Sequence, residues 1–402
     1  MSFWFLIKLS IRNLFRHYRR TLLLISAIVV AIAGVVVLNA LLRGMQTDIR
    51  DQVISNLTGH LKIHKADYFD NPSVQKGFVT PIDWIERFPE GRAVGWAGRI
   101  RVPATIMSER ETRGIELIGV DPAQEVISFL DKVEIKGDFL KDSADPRLVI
   151  GQALARQLET AVGKRVVIIS QGYDGLTREM GFRVAGVYEG ESETAEKQFV
   201  FSSVQRVQDF LETDVWTEIS IKLFSDDFEE IKGYLTTVFS DLKVSDWQEL
   251  EPQMATMYLY VDFGVYILFV IIMGTLAFGL VNAFVTSVME REREFGMVRA
   301  LGMSGRAVVL QVVLESMLIT ICGLLSGILI GVVITHSIGE GIDLSQWSDG
   351  VRAIGMSATL YPRVVSADIY LVIWLTLVFS LFSSVYPARK AIKIRALEAM
   401  GR

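Results

Sequence analysis

The chain has 402 residues, half of them hydrophobic and 22% charged, with a formal net charge of −5. Soluble domains carry about 25% charge and spread their apolar residues periodically. Here the apolar residues gather in long blocks, which excludes a purely cytosolic enzyme. A single cysteine, Cys322, allows no intrachain disulfide.

The first 20 residues carry Lys8, Arg12, Arg16, Arg19 and Arg20. Residues 21–42 follow without a charge and match the roughly 20 apolar residues that a bilayer span needs. This run exceeds the roughly 7–15 residues of a signal-peptide core, and Arg43-Gly44-Met45 is no small-residue cleavage site. An uncleaved first span is expected.

Residues 43–260 hold 25 basic and 36 acidic residues, an excess that argues against nucleic acid as a partner. The segment is long enough to bury a core of its own, in one or two subdomains. Alternation and β-branched content predict strands at Leu61–His64, Val94–Ile106, Gly114–Val120, Arg165–Ser170, Phe182–Tyr188 and Glu218–Leu223. Helical spacing marks Gln152–Glu159, Ser203–Glu212 and Asp226–Phe239. In the last, Phe228, Ile231, Leu235 and Val238/Phe239 share a face, and Asp226 and Asp227 sit where the helix dipole favours acid. His60 and His64 are four residues apart, but on a strand their rings stand about 13 Å apart, so no metal pair is expected. Met45–Val53 and Gln248–Tyr260 also have helical spacing, which predicts that spans one and two continue as stalks.

Span two closes residues 261–289, and Phe263–Met289 is free of charge. Spans three (307–335, with Glu315 as its one charge) and four (369–388) follow. Basic residues crowd the connection 290–306 (Arg291, Arg293, Arg299, Arg306) and the tail 389–402 (Arg389, Lys390, Lys393, Arg395, Arg402). The loop 336–368 has only Arg352 and Arg363. Because positive flanks stay cytoplasmic, both termini and 290–306 are expected in the cytosol, with 43–260 and 336–368 outside. The expected fold is membrane α-helical, four transmembrane helices in a 1+3 arrangement, with a large mixed α/β extracytoplasmic domain between helices 1 and 2.

No Gly-x-x-x-x-Gly-Lys-Ser/Thr and no Gly-x-Ser-x-Gly occurs, so no catalytic residue, metal ligand or nucleotide site is assigned to this chain. Glu315 stands apart, because a carboxylate inside a span costs about 2.5–3.5 kcal/mol on insertion scales unless it is paired. Structural pairing with Arg306 or Arg299 is the expectation. The connection Glu290-Arg-Glu-Arg-Glu-Phe-Gly-Met-Val-Arg-Ala-Leu-Gly302 reads as a short amphipathic helix. Glu290 and Glu294 share one side, and Phe295, Val298 and Leu301/Gly302 another. Its three Glu against three Arg suit a protein partner better than a lipid surface.

This span–loop–span–Glu arrangement resembles the permease family that includes the MacB, FtsX and lipoprotein-releasing LolC/LolE proteins. In that family the loop is a coupling helix that docks onto an ATPase. The resemblance assigns that role to Glu294, Gly296, Arg299, Ala300, Leu301 and Gly302, with Glu315 in span three; Glu290 and Phe295 join them from the helix pattern. Ser10-Ile-Arg-Asn-Leu14 with Arg19-Arg20 is similar to the family's amino-terminal signature. Val149-Ile-Gly-x-x-Leu154-Ala155-x-x-Leu158 and Tyr386-Pro387-Ala388-x-x-Ala391 with Leu397-Glu398-Ala399 resemble later ones. Gly44-Met45, Gly59-His60-Leu-x-Ile63 and Trp247-Gln248-Glu249 look closest to the LolC/LolE branch. Ala396 departs from the family's usual proline.

The resemblance implies a bacterial inner-membrane permease with no cofactor of its own. ATP and Mg would be bound by two copies of a separate ATPase, working with a second permease protomer, identical or not, and with a periplasmic carrier or adaptor. Motion of the outer domain would extract a lipidated or amphiphilic substrate such as lipoprotein. MacB-like efflux of a peptide or drug and FtsX-like activation of a periplasmic hydrolase are the alternatives; MacB carries its ATPase ahead of span one, where 20 residues stand here. A cleft for acyl chains is expected at Ala33, Gly34, Val37, Leu38 and Leu42, although Ala33 and Gly34 equally suit close helix packing.

Overall fold

The computed structural model describes residues 3–80, 88, 92–190, 192–224, 228–300, 302–339, 341–343 and 359–393. Asp226, Asp227, Leu301, Arg352, Arg395, Ala396 and Leu397-Glu398-Ala399 lie outside the described residues. The chain divides into a helical unit (1–47, 259–343 and 359–402) and an α/β unit (48–258 with 344–358).

Helix α1 (Phe3–Arg16) is followed after His17 by α2 (Tyr18–Val53), which runs for 36 residues. The last turns of α2 belong to the α/β unit, where the helix ends in a kinked turn at Ile54–Thr58. Leu57 adopts φ +70° there, and its carbonyl accepts hydrogen bonds from Arg99 Nη1 at 2.6 Å and Ser220 Oγ at 2.9 Å. Gly59 follows at φ +72°, with Ile221 O so near that a Cβ would stand 2.8 Å from it. Glycine is required on both counts.

The strands are β1 (Leu61–His64), β2 (Ala93–Met107), β3 (Thr112–Val120), β4 (Glu134–Gly137) and β5 (Arg147–Gly151). Helix α3 (Gln152–Gln157) precedes β6 (Arg165–Gln171) and β7 (Thr177–Glu189). Then come α4 (Glu193–Gln198), β8 (Phe199–Ser203), α5 (Val204–Leu211), β9 (Glu218–Leu223), α6 (Glu229–Val238), β10 (Lys243–Asp246) and α7 (Trp247–Leu250). They form one sheet in the order β10-β1-β9-β2-β3-β8-β5-β7-β4, with β6 paired to β2 and β7.

Strand β2 is shared between two halves. Its first part pairs with β9 and its second with β3. One core gathers Ile100, Val102 and Ile106 with Leu117, Phe182 and Val200 under α5's Val207 and Phe210. The other packs Leu61, Ile63, Ile219 and Ile221 against Ile231, Leu235 and Phe239, which is the helix face expected from the sequence. Strands β5 and β8 are buried along nearly their whole length and take parallel neighbours, so they show runs rather than alternation.

Helix α8 (Pro252–Glu290) is continuous over 39 residues. After it come α9 (Glu292–Ala300), α10 (Gly305–Ser337), a two-residue ribbon of β11 (Ile342–Asp343) and β12 (Thr359–Leu360), and α11 (Ser366–Lys393). Among the described residues, four helices are long and apolar enough to cross a membrane, beginning at Tyr18, Pro252, Gly305 and Ser366. Helices α2 and α10 lie very close: a Cβ on Gly323, Gly327 or Gly331 would come within 2.7–2.8 Å of Ile28, Ile32 and Val36 in turn. Small residues at four-residue spacing permit this approach. Thr320 and Ser380 hydroxyls share a hydrogen bond of 2.7 Å between α10 and α11.

Candidate functional site

The candidate coupling segment is two pieces rather than one helix. Helix α8 ends at Glu290, Arg291 forms the turn, and α9 starts at Glu292. The break lets the Arg291 guanidinium turn inward, over the Phe295 ring at 5.0 Å. From there Arg291 Nη1 donates to Glu315 Oε1 and Oε2 at 2.9 and 2.7 Å, and Nε donates to Glu294 Oε2 at 2.9 Å. The partner of Glu315 is therefore Arg291, not Arg306 or Arg299 as expected. Arg291 sits at the break between α8 and α9, from which its guanidinium reaches Glu315 on α10.

The other acids face side chains from the start of the chain. Arg20 Nη1 donates to Glu290 Oε2 at 2.7 Å, and His17 Nε2 stands 3.6 Å from Glu294. Burial opposes ionisation of Glu294, yet the hydrogen bond and charge of Arg291 hold its carboxyl below the usual carboxylate range. Phe295 is 3% exposed, packed among Val288, Val308, Val312 and Ala388, and Gly296 is buried beside it. Phe295, named from the sequence among the coupling residues, is the anchor of α9 on its own unit. Met297, at 52% exposure, Ala300 and Gly302 face outward, and Arg299 is half-buried. Gly302 has φ +97°, which turns the chain before Ser304 caps α10 through the Ala307 N–H. Leu301 lies outside the described residues.

The residues expected in an acyl cleft separate onto different sides of α2. Ala33 is buried against Gly331, while Gly34 is exposed and a Cβ on it would meet no other element within 4 Å among the described residues. Leu38 and Leu42 line a small cleft with Val265, Leu268, Phe269 and Ile272 of α8. Asn39 also lines it, buried, with Oδ1 lacking a hydrogen-bond partner among the described residues. Val37 is half-buried.

The sequence reading missed Arg43. Its Nε and Nη2 donate to the two oxygens of Asp368 at 2.7 and 3.0 Å, and Nη1 donates to Asp262 at 2.5 Å and Gln46 at 2.7 Å. One guanidinium thus joins α2, α8 and α11. The signal was available: Arg43, Asp262 and Asp368 each border a span.

Four spanning-length helices, an α/β unit inserted between the first and second, and a pinned amphipathic segment between the second and third define an integral membrane permease subunit. The MacB-like periplasmic core domain matches residues 21–238 and the FtsX-like permease C-terminal domain matches residues 266–396, and the chain belongs to this FtsX/MacB-type permease family. Among its relatives, the lipoprotein-releasing system transmembrane protein LolC of Neisseria meningitidis serogroup B is 24% identical over 94% of this chain and 93% of that protein. The macrolide export ATP-binding/permease protein MacB of Bdellovibrio bacteriovorus is 34% identical, over 30% of this chain and 16% of its own length. The crystal structure of the periplasmic region of MacB from Actinobacillus actinomycetemcomitans aligns with a TM-score of 0.36 at 13% identity, covering 52% of this chain and 96% of that one.

Proposed function

We propose that this chain is the inner-membrane permease subunit of an ABC transporter that releases a lipidated substrate, lipoprotein, from the membrane. In this reading both termini and α9 lie in the cytosol and the α/β unit lies outside. Two copies of a separate ATPase bind ATP and Mg, and a second permease protomer completes the assembly. ATP-driven closure pushes on α9 through Met297, Arg299, Ala300 and Gly302. Arg291 passes the push to α10 through Glu315, and the long helices α2 and α8 carry it to the α/β unit. The cleft at Leu38 and Leu42 accepts acyl chains.

The observation that carries the reading is the near full-length likeness to a protein named for lipoprotein release, 94% of this chain against 93% of that one. The test is reconstitution of the chain with a separate ABC ATPase subunit and an acylated lipoprotein. Lipoprotein should stimulate ATP turnover and appear in the soluble fraction. Met297→Asp and Ala300→Trp, on the exposed side of α9, should abolish release while the fold stays intact. Unchanged release in both variants, or turnover insensitive to lipoprotein, would overturn the proposal.

A further inference from the structure

Helix α1 carries a surface that the membrane spans do not explain. Helix α2 alone, at 36 residues, extends about 54 Å against a hydrocarbon thickness of about 30 Å. α1 is therefore surplus to crossing. One side of it is seated on its own unit: Leu6 and Ser10 are buried, and Ser10 Oγ donates to Gln311 O of α10. The opposite side is open. Trp4 is 74% exposed, Ile11 42% and Phe15 76%. At 100° per residue these three fall within one narrow stripe, and Lys8, Arg12 and Arg16, all exposed, form a second stripe directly beside it.

We propose that this face of α1 is a docking surface for anionic phospholipid in the leaflet on the side of the chain's termini. The apolar stripe lies in the acyl–headgroup boundary, where tryptophan is favoured, and the basic stripe meets lipid phosphates. Two observations favour lipid over a soluble protein. The apolar stripe continues into exposed Tyr18, Leu22 and Leu23 on the first turns of the spanning helix α2. The basic stripe carries no acid, and Lys8 and Arg12 make no ion pair among the described residues, unlike Arg20, which is already paired with Glu290. The surface thus matches negative charge at the boundary of a bilayer. The docking surface is independent of the transported substrate.

The test uses the full-length chain with Cys322→Ser and Ile11→Cys carrying an environment-sensitive fluorophore, in vesicles of brominated phosphatidylcholine with or without phosphatidylglycerol. The probe should be quenched in both and immersed further with phosphatidylglycerol, the preference changing on the order of fivefold for each basic residue removed. Lys8→Glu/Arg12→Glu/Arg16→Glu should erase the difference between the two lipids, and Lys8→Arg/Arg12→Lys/Arg16→Lys should keep it. With the unaltered basic stripe, salt of about 0.5 M should also erase it. Equal immersion in the two lipids at low salt would overturn the anionic preference. A water-exposed probe, shielded only on addition of the ATPase, would overturn membrane docking and assign the face to a protein.

Discussion

Arg291 holds both oxygens of Glu315 while its guanidinium plane rests over Phe295, so one side chain fixes α9 and α10 together. Removing one partner of a buried ion pair leaves an uncompensated charge, whereas replacing both with apolar groups is tolerated. Arg291→Met should therefore destabilise the helical unit by about 3–5 kcal/mol. Glu315→Leu alone should be similarly damaging, and Arg291→Met/Glu315→Leu should recover most of the loss. Denaturant unfolding of the purified protein in detergent measures all three. Additive losses in the double variant would show that the two side chains act separately.

Gly327 faces Ile32 so closely that an added Cβ would lie 2.8 Å from the Ile32 Cβ and 3.1 Å from the Val29 carbonyl. Gly327→Val must push α2 away from α10 and should destabilise the protein by about 1–3 kcal/mol, as overpacking does. Gly327→Val/Ile32→Ala should restore part of it. Gly34→Ala meets no atom within 4 Å and should change stability by less than about 0.5 kcal/mol. Thermal unfolding of the three variants side by side checks the contrast.

The spans and the alternating strands were legible because their periodicity is carried by composition: β1 and β9 end where the pattern does, at Leu61–His64 and Glu218–Leu223. The buried strands β5 and β8 were not, since Leu148-Val149-Ile150 and Phe199-Val200-Phe201 are apolar runs without a period. Helix α1 was hidden by its position, because its basic residues were read as flanking charges of the first span. In the candidate site the sequence identified Glu315 as a residue needing a partner. It pointed to Arg306 or Arg299 rather than Arg291, because the choice depends on the break of the helix at Arg291. Likewise, the five cleft residues lie near one another along the chain, but only the packing of α2 on α10 decides that Ala33 turns inward and Gly34 outward.

Arg43 has all three guanidinium nitrogens engaged by Asp262, Asp368 and Gln46. The bidentate grip on Asp368 needs a planar fork, which lysine lacks. Arg43→Lys should therefore recover only part of the stability lost in Arg43→Ala, a loss on the order of 3 kcal/mol with Asp368 left buried and unpaired. Cysteines placed at the facing ends of α2 and α11 should crosslink less readily in Arg43→Ala. An Arg43→Lys variant indistinguishable from the parent in both measurements would deny the fork its role.

Glu218 lies fully buried in the α/β unit, with Lys62 Nζ donating to its Oε2 at 2.9 Å and the Arg99 guanidinium standing 3.6 Å from its Oε1. Burial alone would raise its pKa, but the charges of Lys62, Arg101 and Arg99 outweigh burial and hold it at about 2. The unfolded chain has no such field, so its carboxyl titrates in the ordinary range near 4.5. Between those values the unfolded state binds more protons, so stability rises with pH. The contribution, on the order of 3 kcal/mol, is complete above about pH 4.5 and is lost as pH falls toward 2. Lys62 is lowered too, burial bringing its amine to about 8, so its contribution is unfavourable at neutral pH and is relieved only as pH rises above 8. Glu218→Gln should destabilise the full-length chain at pH 7 by leaving Lys62 and Arg99 with one anion fewer, and it should flatten the slope of stability between pH 4.5 and 2. Amide exchange in β1 and β9, corrected for intrinsic rates, reads this at the strands involved. A slope in Glu218→Gln as steep as in the parent would place the acid-labile group elsewhere.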